Sequence, residues 1–172
     1  MDLQGFTNIL ETGLGKTVSN ATGIATFNSK NFCLVDLPGT YSLVSNSQEE
    51  EIARDYICFG KPDVTVIVVD STCLERNFNL VFQTMEITQN IIVCVNLLDE
   101  AKKKNIDIDL KSLENYIGVP VIGTTARDEK TIKNLLNCIY KVCINKIKCK
   151  PNIIKYEPAI EEAIFSINFE ID

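Results

Sequence analysis

Two unbroken β-branched runs constrain this chain more than anything else in it. Val64-Thr65-Val66-Ile67-Val68-Val69 and Ile91-Ile92-Val93-Cys94-Val95 carry apolar or β-branched side chains at both parities. As strands they must be covered on both faces, which is the habit of a parallel sheet. Each run ends on a polar residue, Asp70 or Asn96, and two shorter runs, residues 32–36 and 119–123, share the form. Helical stripes fill the intervals. Ile52, Ala53, Tyr56 and Ile57 stop at Gly60 and Pro62, and Phe78, Val81, Phe82 and Met85 form the next stripe. Leu110, Leu113 and Ile117 follow Asp109, an N-cap residue, and stop at Gly118. Ile132, Leu135, Leu136, Ile139 and Cys143 form the longest stripe. Strands alternating with helices predict β-α-β units and an α/β fold. Residues 24–27 are expected to pair antiparallel with residues 32–36 through a turn at 28–31.

After residue 145 the pattern changes. Residues 146–151 read as a linker, and Pro158 opens an amphipathic helix with Ile160, Ala163, Ile164 and Ile167 on one side. A length of 172 residues suits one domain with a short excess. The formal net charge of −6 leaves no basic stripe to displace counterions, which argues against nucleic acid. No apolar run approaches the ~20 residues of a membrane span, and Met1-Asp2-Leu3-Gln4 does not begin as a signal peptide does. Seven cysteines without a Cys-x-x-Cys pair and without histidine point to reduced thiols acting as small buried hydrophobes, not to a zinc site. Cys138, Cys143 and Cys149 lack matching acidic or imidazole ligands for an iron site.

In open parallel sheets, ligands bind at the carboxyl ends of strands. Asp36-Leu37-Pro38-Gly39, Asn96-Leu97-Leu98-Asp99 and Thr124-Thr125-Ala126-Arg127 all fall there. A guanine nucleotide gives each motif a role. Asp36 is suited to holding Mg²⁺ through water, and the Gly39 amide to approaching the terminal phosphate where a Cβ would obstruct it. Asp99 offers two acceptor oxygens to guanine N1–H and the exocyclic amine, donors that adenine lacks. Asn96 braces the base, the Ala126 amide donates to guanine O6, and Thr125 steadies that loop. Asp63 and Asp70 read as capping or turn carboxylates and residues 49–51 as a solvated helix start. Lys102-Lys103-Lys104 reads as a solvated loop, and Tyr41, Phe78 and Phe82 as core.

These motifs together resemble the cytosolic G domain of ferrous iron transport protein B, a P-loop NTPase-like, three-layer α/β/α sheet of the small GTPase type. Gly15-Lys16-Thr17-Val18 looks like the family's switch I motif, and residues 35–43, Val-Asp-Leu-Pro-Gly-Thr-Tyr-Ser-Leu, like its switch II signature. Pro62-Asp63, Val69-Asp70, Leu74-Glu75-Arg76-Asn77 and Asn96-Leu97-Leu98-Asp99 are also typical. The likeness covers about residues 5 to 142. It implies GTP/GDP and Mg²⁺ as ligands, with Thr17 sensing Mg²⁺ and the γ-phosphate beside Asp36. Leu97, where many GTPases carry lysine, implies loose, quickly exchanging nucleotide. Thr40, where many carry glutamine, implies slow hydrolysis, and no residue receives a catalytic role. The family's partner is a membrane transport domain of the same or a sister polypeptide, at the cytoplasmic face of the cell membrane.

The departure is at the front. The family begins with a strand and a Gly-x-x-x-x-Gly-Lys-Ser/Thr phosphate loop, whereas Leu3-Gln4-Gly5 aligns with the end of the helix after that loop. Gly13-Leu14-Gly15-Lys16-Thr17 ends like a phosphate loop, yet Leu10 holds the first glycine position and no strand precedes it. Residues 1–145 are therefore expected to form a partial G domain without its first strand and phosphate loop. Residues 146–172 are expected to form a linker and the first helix of a helical domain. The absent strand belongs between residues 32–36 and 64–70, so those strands should show unpaired edges or close onto each other. The expected product is a marginal, aggregation-prone, GTPase-type domain that regulates ferrous iron transport and binds phosphate poorly. The alternative is a truncated, non-enzymatic fragment or interaction module that binds no nucleotide.

Overall fold

The computed structural model describes residues 21–44, 47–125 and 127–171. Its first sheet is a hairpin of β1 (Ala21–Phe27) and β2 (Lys30–Asp36), antiparallel with Phe27 opposite Lys30 and Ala21 opposite Asp36. The connecting pair, Asn28 and Ser29, has φ of 48° and 59°. Positive φ at both positions is the two-residue turn whose twist matches the strands it joins. The turn expected over residues 28–31 is thus two residues shorter, and Lys30 and Asn31 join β2.

The second sheet is parallel, in the order β3 (Thr65–Asp70), β4 (Ile91–Asn96), β5 (Val121–Gly123). Between strands run α1 (Gln48–Phe59), α2 (Leu74–Ile87), α3 (Leu98–Lys103), α4 (Leu110–Ile117) and α5 (Glu129–Cys143), and α6 (Pro158–Ile171) ends the described chain. Ser47 caps α1 by accepting from the Glu50 amide at 3.2 Å, above the expected acidic first turn. Asp109 caps α4 through the Ser112 amide at 2.9 Å. The Ser112 hydroxyl and amide hold the Asp109 carboxyl below its usual range. Helix α3 is a correction: residues 98–103 are helical where the lysine run suggested loop, although Lys102, Lys103 and Lys104 are solvated as expected.

The β-branched pattern produces a layered core. All six residues of β4 are buried. On one face Ile92 and Cys94 pack with Ile132, Leu135, Leu136 and Ile139 of α5. On the other, Ile91, Val93 and Val95 meet Ile67, Val69, Val81 and Met85, with Ile117 from α4. Each such fully buried aliphatic side chain contributes about 1.5–3 kcal/mol. Phe78 and Phe82 stack edge to face at 5.7 Å on this second cluster. A third cluster, Leu43, Ala53 and Ile57 with Leu37 and Leu80, ties α1 and the segment after β2 to α2.

Among the described residues the two sheets do not pair with each other, so β2 and β3 keep free edges instead of closing together. Beyond α5 the linker is stitched to the amino ends of the strands. Lys150 N–H donates to Gly118 O and Asn152 N–H to Ile117 O, both at 2.9 Å, and Asn152 Nδ2 donates to Tyr116 O at 2.7 Å. The Cys149 thiol donates to Ile91 O at 3.3 Å. No helix among the described residues is long and apolar enough to cross a membrane.

Candidate functional site

The polar ends of β4 and β5 form one connected unit. Thr124, fully buried, donates from Oγ1 to Asn96 Oδ1 at 3.0 Å and meets the Cys94 thiol at 3.2 Å. A thiol-to-hydroxyl-to-amide chain polarises along its length and fixes which way the Asn96 amide points. Burial pushes the Cys94 thiol up to about 11, against the Thr124 bond, so it stays a neutral donor. Backbone bonds complete the frame: Thr124 N–H to Val95 O at 2.8 Å and Leu98 N–H to Thr124 O at 3.3 Å. Leu97, between them, has φ of 61°. That left-handed turn is held because the Leu97 carbonyl accepts from Ser71 Oγ at 2.7 Å and from the Glu100 and Ala101 amides.

This turn puts Asp99 in the exposed first turn of α3. Its charge faces Lys103, whose ammonium the Glu100 carboxylate holds above its usual range, with Asp99 adding to the effect and Arg127 opposing it. Thr125 belongs to the same unit. Its amide donates to Thr131 Oγ1 at 3.1 Å, and Asp128 N–H donates to Thr125 O at 2.8 Å. Asp128 in turn caps α5 through the Lys130 amide. Thr131 and Ser71 were not legible as site residues, because their partners lie in other elements or close a loop that no periodicity marks.

Asp36 and Gly39 sit at the carboxyl end of β2, in the other sheet. Asp36 is half-buried, and the burial pushes its carboxyl above the usual range. Pro38 is buried and Gly39 exposed. The following segment is docked on α2: Gln83 Oε1 accepts from the Leu43 amide at 2.7 Å and from Ser42 Oγ at 3.3 Å, and the Arg76 guanidinium lies 4.1 Å from the Tyr41 ring centre. Tyr41 is thus not the core residue its sequence suggested; it is 51% exposed under Arg76. The Thr40 hydroxyl is engaged locally with Ser42. Asp70 matches its expected turn role, accepting from Thr72 N–H at 2.7 Å. Thr17 and Ala126 lie outside the described residues, as does the segment containing residues 13–17.

The structure therefore gathers Asn96, Asp99 and Thr125 and leaves Asp36 and Gly39 across the unpaired gap. Among the described residues no group of three His, Cys, Asp or Glu is placed to hold a metal ion. The cysteines are a partial correction: Cys94 and Cys138 are buried and Cys149 half-buried, but Cys33, Cys58, Cys73 and Cys143 are exposed. One open groove of ≈ 670 Å³, lined by Ser71, Cys73, Asp107 and Tyr116 among others, lies beside the strand ends without including Asn96 or Asp99.

Thr124→Val keeps the shape and removes the hydroxyl, stranding Asn96 Oδ1 and the Cys94 thiol in the interior. We expect a loss of about 1–3 kcal/mol in denaturant unfolding, largely restored by Thr124→Ser. Equal stability of the valine variant would show that the chain of bonds carries no weight.

Comparison with known proteins identifies the family and the fold. Residues 10–139 match the family model described as ferrous iron transport protein B. The Fe(2+) transporter FeoB of Escherichia coli (strain K12) is 36% identical over 156 residues, covering 87% of this chain and 20% of that protein. The chain thus spans about a fifth of the length of the curated relatives it matches. The FeoB G-domain from Methanococcus jannaschii is 38% identical, with a TM-score of 0.72 over 80% of this chain and 90% of that one. The cytosolic domain of the T. maritima FeoB iron transporter in a GDP form is 30% identical, with a TM-score of 0.85 over 96% and 70%.

Proposed function

The chain belongs to the ferrous iron transport protein B family, and from that premise we propose that it is a guanine-nucleotide-binding, GTPase-type domain that regulates ferrous iron transport. The observation that carries this reading is the locked Cys94–Thr124–Asn96 unit beside an exposed Asp99. Asp99 accepts from guanine N1–H and the exocyclic amine, Asn96 braces the base, and Thr125 holds the loop from which the Ala126 amide reaches O6. Residues 1–145 form the nucleotide-binding part, and residues 146–172 the linker and first helix of a following helical domain. The partner is a membrane transport domain, of the same or a sister polypeptide, which places this part at the cytoplasmic face of the membrane.

Asp36 and Thr17 would hold Mg²⁺, with Gly39 closing on the terminal phosphate. The Asp36 carboxylate fits a cation: it is half-buried, makes no hydrogen bond among the described residues, and is penalised by desolvation that a positive charge would relieve. Mg²⁺ supplies charge neutralisation between phosphate oxygens. The 172-residue sequence contains no Gly-x-x-x-x-Gly-Lys-Ser/Thr, so the amide nest and lysine that carry most of the β-phosphate affinity are not among its residues. The base is read and the phosphates are held poorly. Hydrolysis is slow, since Thr40 offers no water-orienting amide.

The test is equilibrium binding of fluorescent GDP to this 172-residue chain. We expect a Kd well above about 1 µM, with guanine preferred over adenine nucleotides. Affinity of about 1 µM or tighter would overturn the weak-phosphate reading. Equal, featureless binding of adenine nucleotides would overturn the base assignment and favour an interaction module.

A further inference from the structure

Ser71, Thr84, Asn96 and Thr124 are the buried polar residues among those described. Thr84 bonds Leu80 O one turn back in its own helix, and Asn96 and Thr124 bond each other. Ser71, just past the end of β3 and 2% exposed, instead reaches out of its own element. Its amide donates to Asn96 O at 3.0 Å and its hydroxyl to Leu97 O at 2.7 Å. One residue thus holds two consecutive carbonyls of the chain that leaves β4.

A continued strand could not offer both, because its successive carbonyls point to opposite neighbours. In β4, Val95 O accepts from Thr124 N–H on the β5 side, and Asn96 O from Ser71 N–H on the β3 side. By that alternation Leu97 O is due on the β5 side. The left-handed turn at Leu97, with φ of 61°, swings this carbonyl back toward β3, where the Ser71 hydroxyl meets it. A side chain makes the bond that no further amide of the ladder could make.

The bond holds a conformation that leucine resists. A Cβ disfavours left-handed φ, and Leu97 has no side-chain oxygen with which to cap the helix it opens. Helix α3 has only 6 residues, too few to set its own position. Its start is tied to other elements by Leu98 N–H to Thr124 O at a long 3.3 Å and by Ser71 Oγ to Leu97 O at 2.7 Å. Asp99 lies two residues beyond the held carbonyl, so rotation of the Leu97 peptide displaces its carboxylate.

We propose that Ser71 is a positioning residue that sets base specificity: its hydroxyl clamps the Leu97 turn and so aims the Asp99 carboxylate at a base carrying both an N1–H and an exocyclic amine. The inference rests on the guanine-binding reading above. A two-point contact needs both carboxylate oxygens in register, so misalignment erodes the distinction between guanine and hypoxanthine, which lacks the amine. Selectivity then depends on a side chain at the end of a different strand, acting through Leu97.

The test replaces Ser71 by Ala and by Cys in the full chain and compares GDP with IDP by amide chemical-shift titration. Alanine removes the donor, and cysteine supplies a weaker one on a slightly larger atom. The preference for GDP over IDP is expected to follow donor strength, Ser above Cys above Ala. Ser71→Ala is expected to lose about fivefold of it, the weight of one hydrogen bond. Exchange of the Glu100 and Ala101 amides, which bond Leu97 O, is expected to quicken in the same order in the nucleotide-free chain. A packing effect would rank the variants by volume, so a cysteine chain no better than the alanine one overturns the proposal. So does an alanine chain that keeps the parent's preference, even with faster exchange. If the alanine chain does not fold, the cysteine chain decides alone, by whether its preference falls below the parent's. A parent chain without any preference for GDP over IDP overturns the guanine reading, and this inference with it.

Discussion

Asp99→Asn is expected to turn a guanine-selective site into one that prefers xanthine nucleotides. In the proposed site the carboxylate would accept two charge-assisted hydrogen bonds, from N1–H and the exocyclic amine, each worth about 1.5–3 kcal/mol. Asparagine keeps one acceptor and replaces the other with a donor, which then faces the guanine amine donor to donor. Xanthine carries a carbonyl in place of that amine, so the new donor finds an acceptor. We expect guanine affinity to fall about 10²-fold and xanthine affinity to rise above it. Asp99 is exposed in the first turn of α3 and its substitution leaves the core untouched, so folding is not in play. Amide chemical-shift titration reads the weak binding expected of this chain. An unchanged order of base preference would remove Asp99 from the site.

Gly118→Ala is expected to cost more stability than any surface substitution in the chain. Gly118 ends α4 with φ of 76°, and a Cβ there would lie 2.0 Å from the Lys150 carbonyl oxygen. The left-handed conformation alone costs a side-chain-bearing residue about 1–2 kcal/mol. The clash cannot be relieved by a rotamer, because the obstructing atom is backbone. The linker has to lift, and the bonds from Lys150 and Asn152 to the end of α4 go with it. Together these amount to about 2–4 kcal/mol, a large share of the ~5–15 kcal/mol that holds a typical domain together. Thermal unfolding is expected to drop by roughly 5–15 °C for a chain of this size. Alkylation of Cys149, whose thiol now reaches Ile91 O, is expected to accelerate in parallel. A melting temperature within a degree of the parent would show that the linker is not fastened there.

How much of this was legible depended on whether the signal was local. The continuous β-branched runs announced β3 and β4 because a two-faced strand leaves no alternation to misread. Asp109 and Gly118 bracketed α4 to the residue, since a cap and a left-handed stop act within one turn. Asn96 and Asp99 stood out because they follow such a strand. Helix α3 escaped notice: six residues are too few to show a stripe, and three lysines resemble a loop. The role of Gln83 was invisible, as its partner Leu43 lies 40 residues earlier. Tyr41 misled for the same reason; an aromatic reads as core until the distant Arg76 is seen lying over its ring.

Helix α2 joins two events that the chain keeps far apart. Gln83 grips the amide of Leu43, in the segment that follows Asp36, while Glu86 accepts from the Tyr156 hydroxyl of the outgoing linker at 2.7 Å. Three residues of helix rise only about 4.5 Å. The site segment and the tether to α6 thus share less than one turn of a single helix. In mechanical terms α2 is a short crank: its input and output arms are mounted side by side, with almost no shaft between them to twist or to absorb a displacement.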